Sequence, residues 1–292
     1  MSRVRSVLVA AAVAALPAAF LPAAAGVAAT PDGPRPRPNV VRVLPGDLGP
    51  DGPWLRLQDD PSNAGRPYGV QEVSPFPDSV FHDGSLHLAV AGHDPAQQAQ
   101  AAHYFTAAVP LTEVAARPLA YDLYVKGATS TPDAIPFGAN LQLPVVCQGA
   151  FTTLSFQPQL ATDSEGRTGA VADAWRHFDA GGSTQWRTSR AVAGFAAQSD
   201  HPLTDYVGAC DAAGDGAIGV IANVGRLGDA TASLDTYVDN IAVDGTLYDF
   251  AVEDCAHDGG PGHSSGYGST PGCGSGNGNG YGSRADSGRG GA

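Results

Sequence analysis

Between residues 39 and 252 the chain is a string of short segments in which apolar and polar residues alternate, each cut off by Gly, Pro, Asn or Asp. A period of two sends successive side chains to opposite faces of a strand, so this pattern specifies half-buried β-strands. Leu119, Tyr121, Leu123 and Val125 mark one such face, with Asp122, Tyr124 and Lys126 opposite; Leu86, Leu88, Val90 and Leu141, Leu143, Val145 repeat it. Ala217 to Val224 is apolar on both faces and reads as a central strand. Two short helices are expected, over Ala96 to Ala102 after Asp94-Pro95 and over Leu203 to Val207 after Asp200 to Pro202. Neither can cover a sheet, so two sheets must cover each other. The expected fold is an all-β, two-sheet antiparallel β-sandwich of jelly-roll type, with about 11 to 12 strands.

The flanks read differently. Arg3 and Arg5 precede an apolar run from Val7 to Phe20 and small residues to Ala29, the layout of a secretory signal peptide over 1–29. Pro17 and Pro22 break that run, so no membrane anchor is expected. Residues 30–38 form a Pro-rich linker, 39–252 the β-sandwich domain, and 253–292, with 14 of the 38 glycines, a disordered Gly-rich tail. The expected location is secreted and extracellular. Four cysteines in such a chain suggest two disulfides, with Cys147–Cys210 and Cys255–Cys273 favoured among three connectivities. No Cys-x-x-Cys spacing supports zinc instead.

The formal net charge is −13. Residues 39–252 alone hold 24 acidic and 10 basic residues, and 21 of the 24 are Asp. Nucleic acid is excluded as a partner, because such binding needs clustered cations. Aspartate suits turns and hard-cation ligation better than helix interiors.

Familiar catalytic patterns are absent or out of context. Gly262-His263-Ser264-Ser265-Gly266 matches G-x-S-x-G but sits in Gly/Ser coil, without the strand and helix that hold a nucleophile turn. Asp211 to Gly216 starts like a calcium loop, yet Ala213 and Ala222 stand where ligands three and twelve belong. His82 and His87 fall on opposite strand faces and make poor co-ligands.

Several patches carry a resemblance: Asp83-Gly84-Ser85-Leu86-His87-Leu88, Phe151-Thr152-Thr153-Leu154-Ser155-Phe156, Trp175 with Trp186, Thr236 to Gly245, and Tyr248-Asp249-Phe250. In these the chain resembles secreted bacterial jelly-roll β-sandwich proteins, similar to carbohydrate-binding modules and concanavalin-like lectins, many without assigned function. The resemblance implies a non-catalytic, extracellular, glycan-facing module. The E-x-D-x-x-E strand of concanavalin-like hydrolases is missing, since Glu72, Glu113 and Glu165 stand apart. Modules similar to this one often place a calcium ligand on the last strand, in a stretch looking like Val238-Asp239-Asn240.

Asp239 falls on the period-two face Tyr237, Asp239, Ile241, Val243, where a buried carboxylate is costly unless paired or metal-bound. Two readings stay open. One is structural Ca2+ held by Asp239 with Glu72 or backbone oxygens near Asp83; the other is an arginine, a backbone cap or a sheet edge. Tryptophans divide likewise between core and sugar-stacking platform. Trp186, flanked by Gln185, Arg187 and Thr188, is the one expected to be exposed, with Trp175, Arg187 and Tyr68 completing a ligand site. The leading function is binding of an extracellular polysaccharide or cell-surface glycan. A structural matrix exoprotein is the alternative, and a carbohydrate-active hydrolase or lyase using distant carboxylates is third.

Overall fold

The computed structural model describes residues 39–57, 68–225 and 227–253. The leader, the linker, nearly all of the tail and the Cys255–Cys273 pairing lie outside them. The first strands are β1 (Asn39–Val43), β2 (Leu55–Leu57), β3 (Val70–Ser74), β4 (Ser85–Val90) and β5 (Gln98–Val109). Helix α1 (Leu111–Ala115) leads to β6 (Ala120–Val125), β7 (Asn140–Cys147), β8 (Ala150–Phe156), β9 (Arg176–Asp179), β10 (Gln185–Thr188) and β11 (Asp200–Pro202). Helix α2 (Leu203–Ala209), β12 (Gly216–Gly225), β13 (Leu234–Val243) and β14 (Thr246–Phe250) complete the strands and α-helices of the described residues.

These strands form two seven-stranded sheets facing each other across one core, an all-β sandwich. In sheet one, β13 pairs on one side with β4 and β14 and on the other with β6, while β3, β1 and β9 lie outside these. Sheet two runs β11-β10-β8-β7-β12-β5-β2. Strand neighbours are antiparallel except β1 on β14, which is parallel.

The alternation does what its period requires. Leu119, Tyr121, Leu123 and Val125 from sheet one and Leu141, Leu143 and Val145 from sheet two all lie buried in the core. Strand β12, apolar on both faces, is central between β7 and β5. The expected disulfide Cys147–Cys210 ties the end of β7 to the residue after α2, 63 positions on. On the chain-entropy model a loop of that length contributes about 4 kcal/mol.

One helix is corrected. The Asp94-Pro95 signal makes a single turn, with the Asp94 side chain accepting the Ala96 amide, and the chain then enters β5. There Ala99 and Ala101 pack inward while β12 and β2 hydrogen-bond both edges, and two ladders outweigh the helix preference of alanine.

Candidate functional site

On the outer side of sheet two the side chains alternate with those of the core. Gln98 and Gln100 of β5 alternate with Ala99 and Ala101, and Asn140 and Gln142 of β7 with Leu141 and Leu143. Register aligns them into rows. Gln100, Asn223 and Asn140 face one another on β5, β12 and β7; beside them, Ile221, Gln142, Ser155, Arg187 and Asp200 cross five strands. Gln98 Nε2 donates to Asn223 Oδ1 at 2.8 Å, Asn223 Nδ2 to Asn140 Oδ1 at 3.2 Å, and Gln100 Nε2 to Gln142 Oε1 at 3.4 Å. The Oε1 atoms of Gln98 and Gln100 are buried with no hydrogen-bond partner. Gln98, Gln100 and Asn223 are buried, and an unmade hydrogen bond of this kind costs about 1–3 kcal/mol.

A second cluster lies where the β3–β4 loop meets sheet one. Strand β13 is bulged: Asp239 faces Asp122, but Ala242 faces Ala120, so two residues oppose Tyr121. Asn240 in the bulge takes φ +52°. This breaks the face read from the sequence. Tyr237 and Asp239 point outward, whereas Ile241 and Val243 turn into the core.

Asp239 is fully buried beneath the loop. Its Oδ1 accepts the amides of Asn240 and Phe250 at 2.5 and 3.1 Å, and its Oδ2 has no partner. Burial drives its pKa well above the carboxylate range, the two backbone donors opposing and the charges of Asp78 and Asp249 adding. Asn240 Nδ2 donates to Asp122 Oδ2 at 3.0 Å, and its Oδ1 is unpartnered.

Asp78, Asp83 and Asp249 each offer a carboxylate oxygen, all within 4.8 Å of one another. Arg42 is the cation beside them, 2.6 Å from Asp83 and 3.4 Å from Asp249. Neither oxygen of Asp249 has a hydrogen-bond partner. Burial first and the charge of Asp83 next push its pKa up to about 7, against the pull of Arg42. Oxygens on one Ca2+ at about 2.3–2.6 Å sit within about 5 Å of each other, so this all-oxygen set fits a hard cation.

The residues expected to form a site are scattered. Trp186 is corrected from exposed to core: it is 0% exposed and its Nε1 donates to Ala180 O at 2.9 Å. Its polar neighbours occupy the opposite face of β10. Arg187 does lie on the amide row, held bidentate by Asp200 at 2.8 and 2.6 Å. Trp175 is half-buried on sheet one beside Phe76 and Tyr124, its Nε1 donating to Pro77 O. Tyr68 is 54% exposed before β3. Glu72 is corrected as a partner of Asp239: it is exposed on β3, faces His87 across the ladder at 3.4 Å, and lies outside the carboxylate group.

Sequence reasoning missed the amide row, although the Gln-Ala-Gln-Ala run at 98–101 signalled it, and missed Asp78 and Asp249, which no local pattern marks.

The geometry defines a class: an all-β sandwich with a neutral amide-lined sheet face and a buried acidic cluster under an adjoining loop. No family model matches the sequence, and no curated protein matches it. A solved structure titled "CBM4 structure and function" aligns over 66% of this chain and 96% of its own, at 15% identity and a TM-score of 0.27. The fold assignment rests on the strands themselves. No helix among the described residues is long and apolar enough to cross a membrane.

Proposed function

We propose that this chain is a secreted, non-catalytic β-sandwich that binds an extracellular polysaccharide or cell-surface glycan along the outer face of sheet two. The observation that carries the reading is the amide row. Gln98, Gln100, Gln142, Asn140 and Asn223 offer donors and acceptors without charge on three adjacent strands, and two of their acceptor oxygens, both buried, have no partner within the protein. Sugar hydroxyls are both donors and acceptors, and a strand-crossing row suits an extended chain of them. Arg187 lies on the same row but is already engaged by Asp200. The buried carboxylates lie on the other sheet, under a loop, and supply no acid–base pair to this face.

Structural Ca2+ belongs to the same proposal. Asp78, Asp83 and Asp249 would hold it, with the open oxygens of Asp239 and Asn240 nearby, and the ion would neutralise charge that one arginine does not. The test is a polysaccharide and glycan-array screen of the full chain beside a Gln100→Ala/Gln142→Ala variant. Binding by the parent that falls at least tenfold in the variant is expected. Retained affinity in a folded variant, or no binding by the parent to any glycan, overturns the reading.

A further inference from the structure

A cleft of about 440 Å³ opens beyond the ends of β3, β4 and β13. Val70, Ala89 and Val90 give it apolar walls, Tyr68 and Gln97 border it, and Asp235 is the one charged residue among its described lining residues. Its size falls within the about 300–1,000 Å³ usual for ligand sites.

The Asp235 carboxylate is fixed from two sides. Its Oδ1 pairs with His87 Nε2 at 2.7 Å, and its Oδ2 accepts from Thr129 Oγ1 at 2.6 Å. His87 is held in turn by stacking on Tyr237, ring centroids 4.6 Å apart, and by Glu72 at its other nitrogen. Burial works to raise the Asp235 pKa, but the bonds from His87 and Thr129 outweigh it and hold it below the ordinary carboxylate range. Each carboxylate oxygen has two acceptor positions, so Asp235 keeps acceptor capacity after these two bonds.

The Gln97 side chain joins two borders of the cleft. Its Oε1 accepts the Ala91 amide at 2.5 Å and its Nε2 donates to Tyr68 O at 2.8 Å, anchoring the backbone that carries the Tyr68 ring. An exposed aromatic ring and a fixed carboxylate lining one cleft offer a surface for apolar C–H groups and acceptors for hydroxyls.

We propose that this cleft is a second sugar site, distinct from the amide row, that takes one neutral sugar residue through the Tyr68 ring and the Asp235 carboxylate. Sugars bearing a carboxylate are disfavoured, because Asp235 would meet them with like charge and no lysine or arginine is among the described residues lining the cleft. The site stands whether or not the amide row binds a chain; if both do, one molecule engages a glycan at two places.

The test is a titration of the 15N-labelled full chain with methyl glucoside, methyl galactoside and methyl mannoside, and with glucuronate, followed by amide shifts. At least one neutral glycoside is expected to give saturable shifts at Gly69, Gly92 and Ser233, and glucuronate none. Tyr68→Ala, an exposed position, should abolish them, and Asp235→Asn should weaken them at least tenfold, as loss of a charge-assisted hydrogen bond does. Gln100→Ala/Gln142→Ala should leave them intact, which separates this site from the amide row. No saturable shift with any neutral glycoside up to about 100 mM overturns the proposal. So do shifts that persist in Tyr68→Ala, or that glucuronate produces equally.

Discussion

Stripped of divalent cations, the fold should lose stability as pH rises from about 4 to about 7, and calcium should restore it. Asp249 carries most of the argument. Its side chain is fully buried, with Arg42, Asp83, Asp78 and Asp239 around it, and its pKa stands at about 7 against an ordinary 3.8. The metal-free fold therefore keeps a proton that the unfolded chain releases across that window. Stability is fully present below the unfolded pKa and is lost as pH climbs through the folded one. About three pKa units amount to about 4 kcal/mol at about 1.4 kcal/mol per unit. Asp239, also raised, acts in the same direction. Because the unfolded carboxyl is already mostly ionised at about pH 4.5, about 3 kcal/mol of this is lost between about pH 4.5 and pH 8, and at about 2–4 °C per kcal/mol for a domain of this size Tm in chelator should fall by about 6–12 °C. Calcium ligates ionised carboxylates, so its stabilisation should be largest at the upper pH and near zero at the lower. Thermal melts of the full chain in chelator and in calcium check this. In Asp249→Asn, which cannot ionise, the pH slope should flatten and the calcium response disappear. A Tm at the upper pH that ignores calcium, or an Asp249→Asn variant that still responds fully, refutes the reasoning.

Two further outcomes follow from the packing and from the His87 pair. Trp186→Ala should cost about 3–5 kcal/mol in chemical denaturation, because it empties a core position between Phe156 and the Ala180 carbonyl; a loss under about 1 kcal/mol would contradict its burial. His87 has a raised pKa: burial opposes protonation, but the bond and charge of Asp235, then of Glu72, outweigh it. Its contribution to stability is thus fully present below about pH 6.5 and is lost as pH rises through the folded value. Asp235→Asn should move the His87 titration midpoint downward in an NMR pH series, and an unchanged midpoint would remove the pairing from the account.

The alternating segments were legible because burial on one face is a local property. Leu119 to Val125 and Leu141 to Val145 each announce their core side without knowledge of any neighbour. The same rule, applied strictly, also places Trp186 in the core. Polar residues on both sides of a strand tryptophan mark the opposite face, so Gln185 and Arg187 are evidence for its burial. What alternation does not carry is register and bulges. Gln100 and Gln142 read separately as outward residues; only the pairing of β5 with β12 and of β12 with β7 sets them in neighbouring rows. Asn240 breaks the period within β13, and a single bulged residue separates Asp239 from the apolar face that the sequence assigns it. The acidic excess was plain from composition, but its focus was not. Asp78 and Asp83 come from the β3–β4 loop and Asp249 from β14, so they meet only once β13 lies against β4 and β14. The carboxylate that stood out in the sequence, Asp239, holds its place through two backbone donors and lies beside that trio, so one suspicious residue led to a centre built by three others.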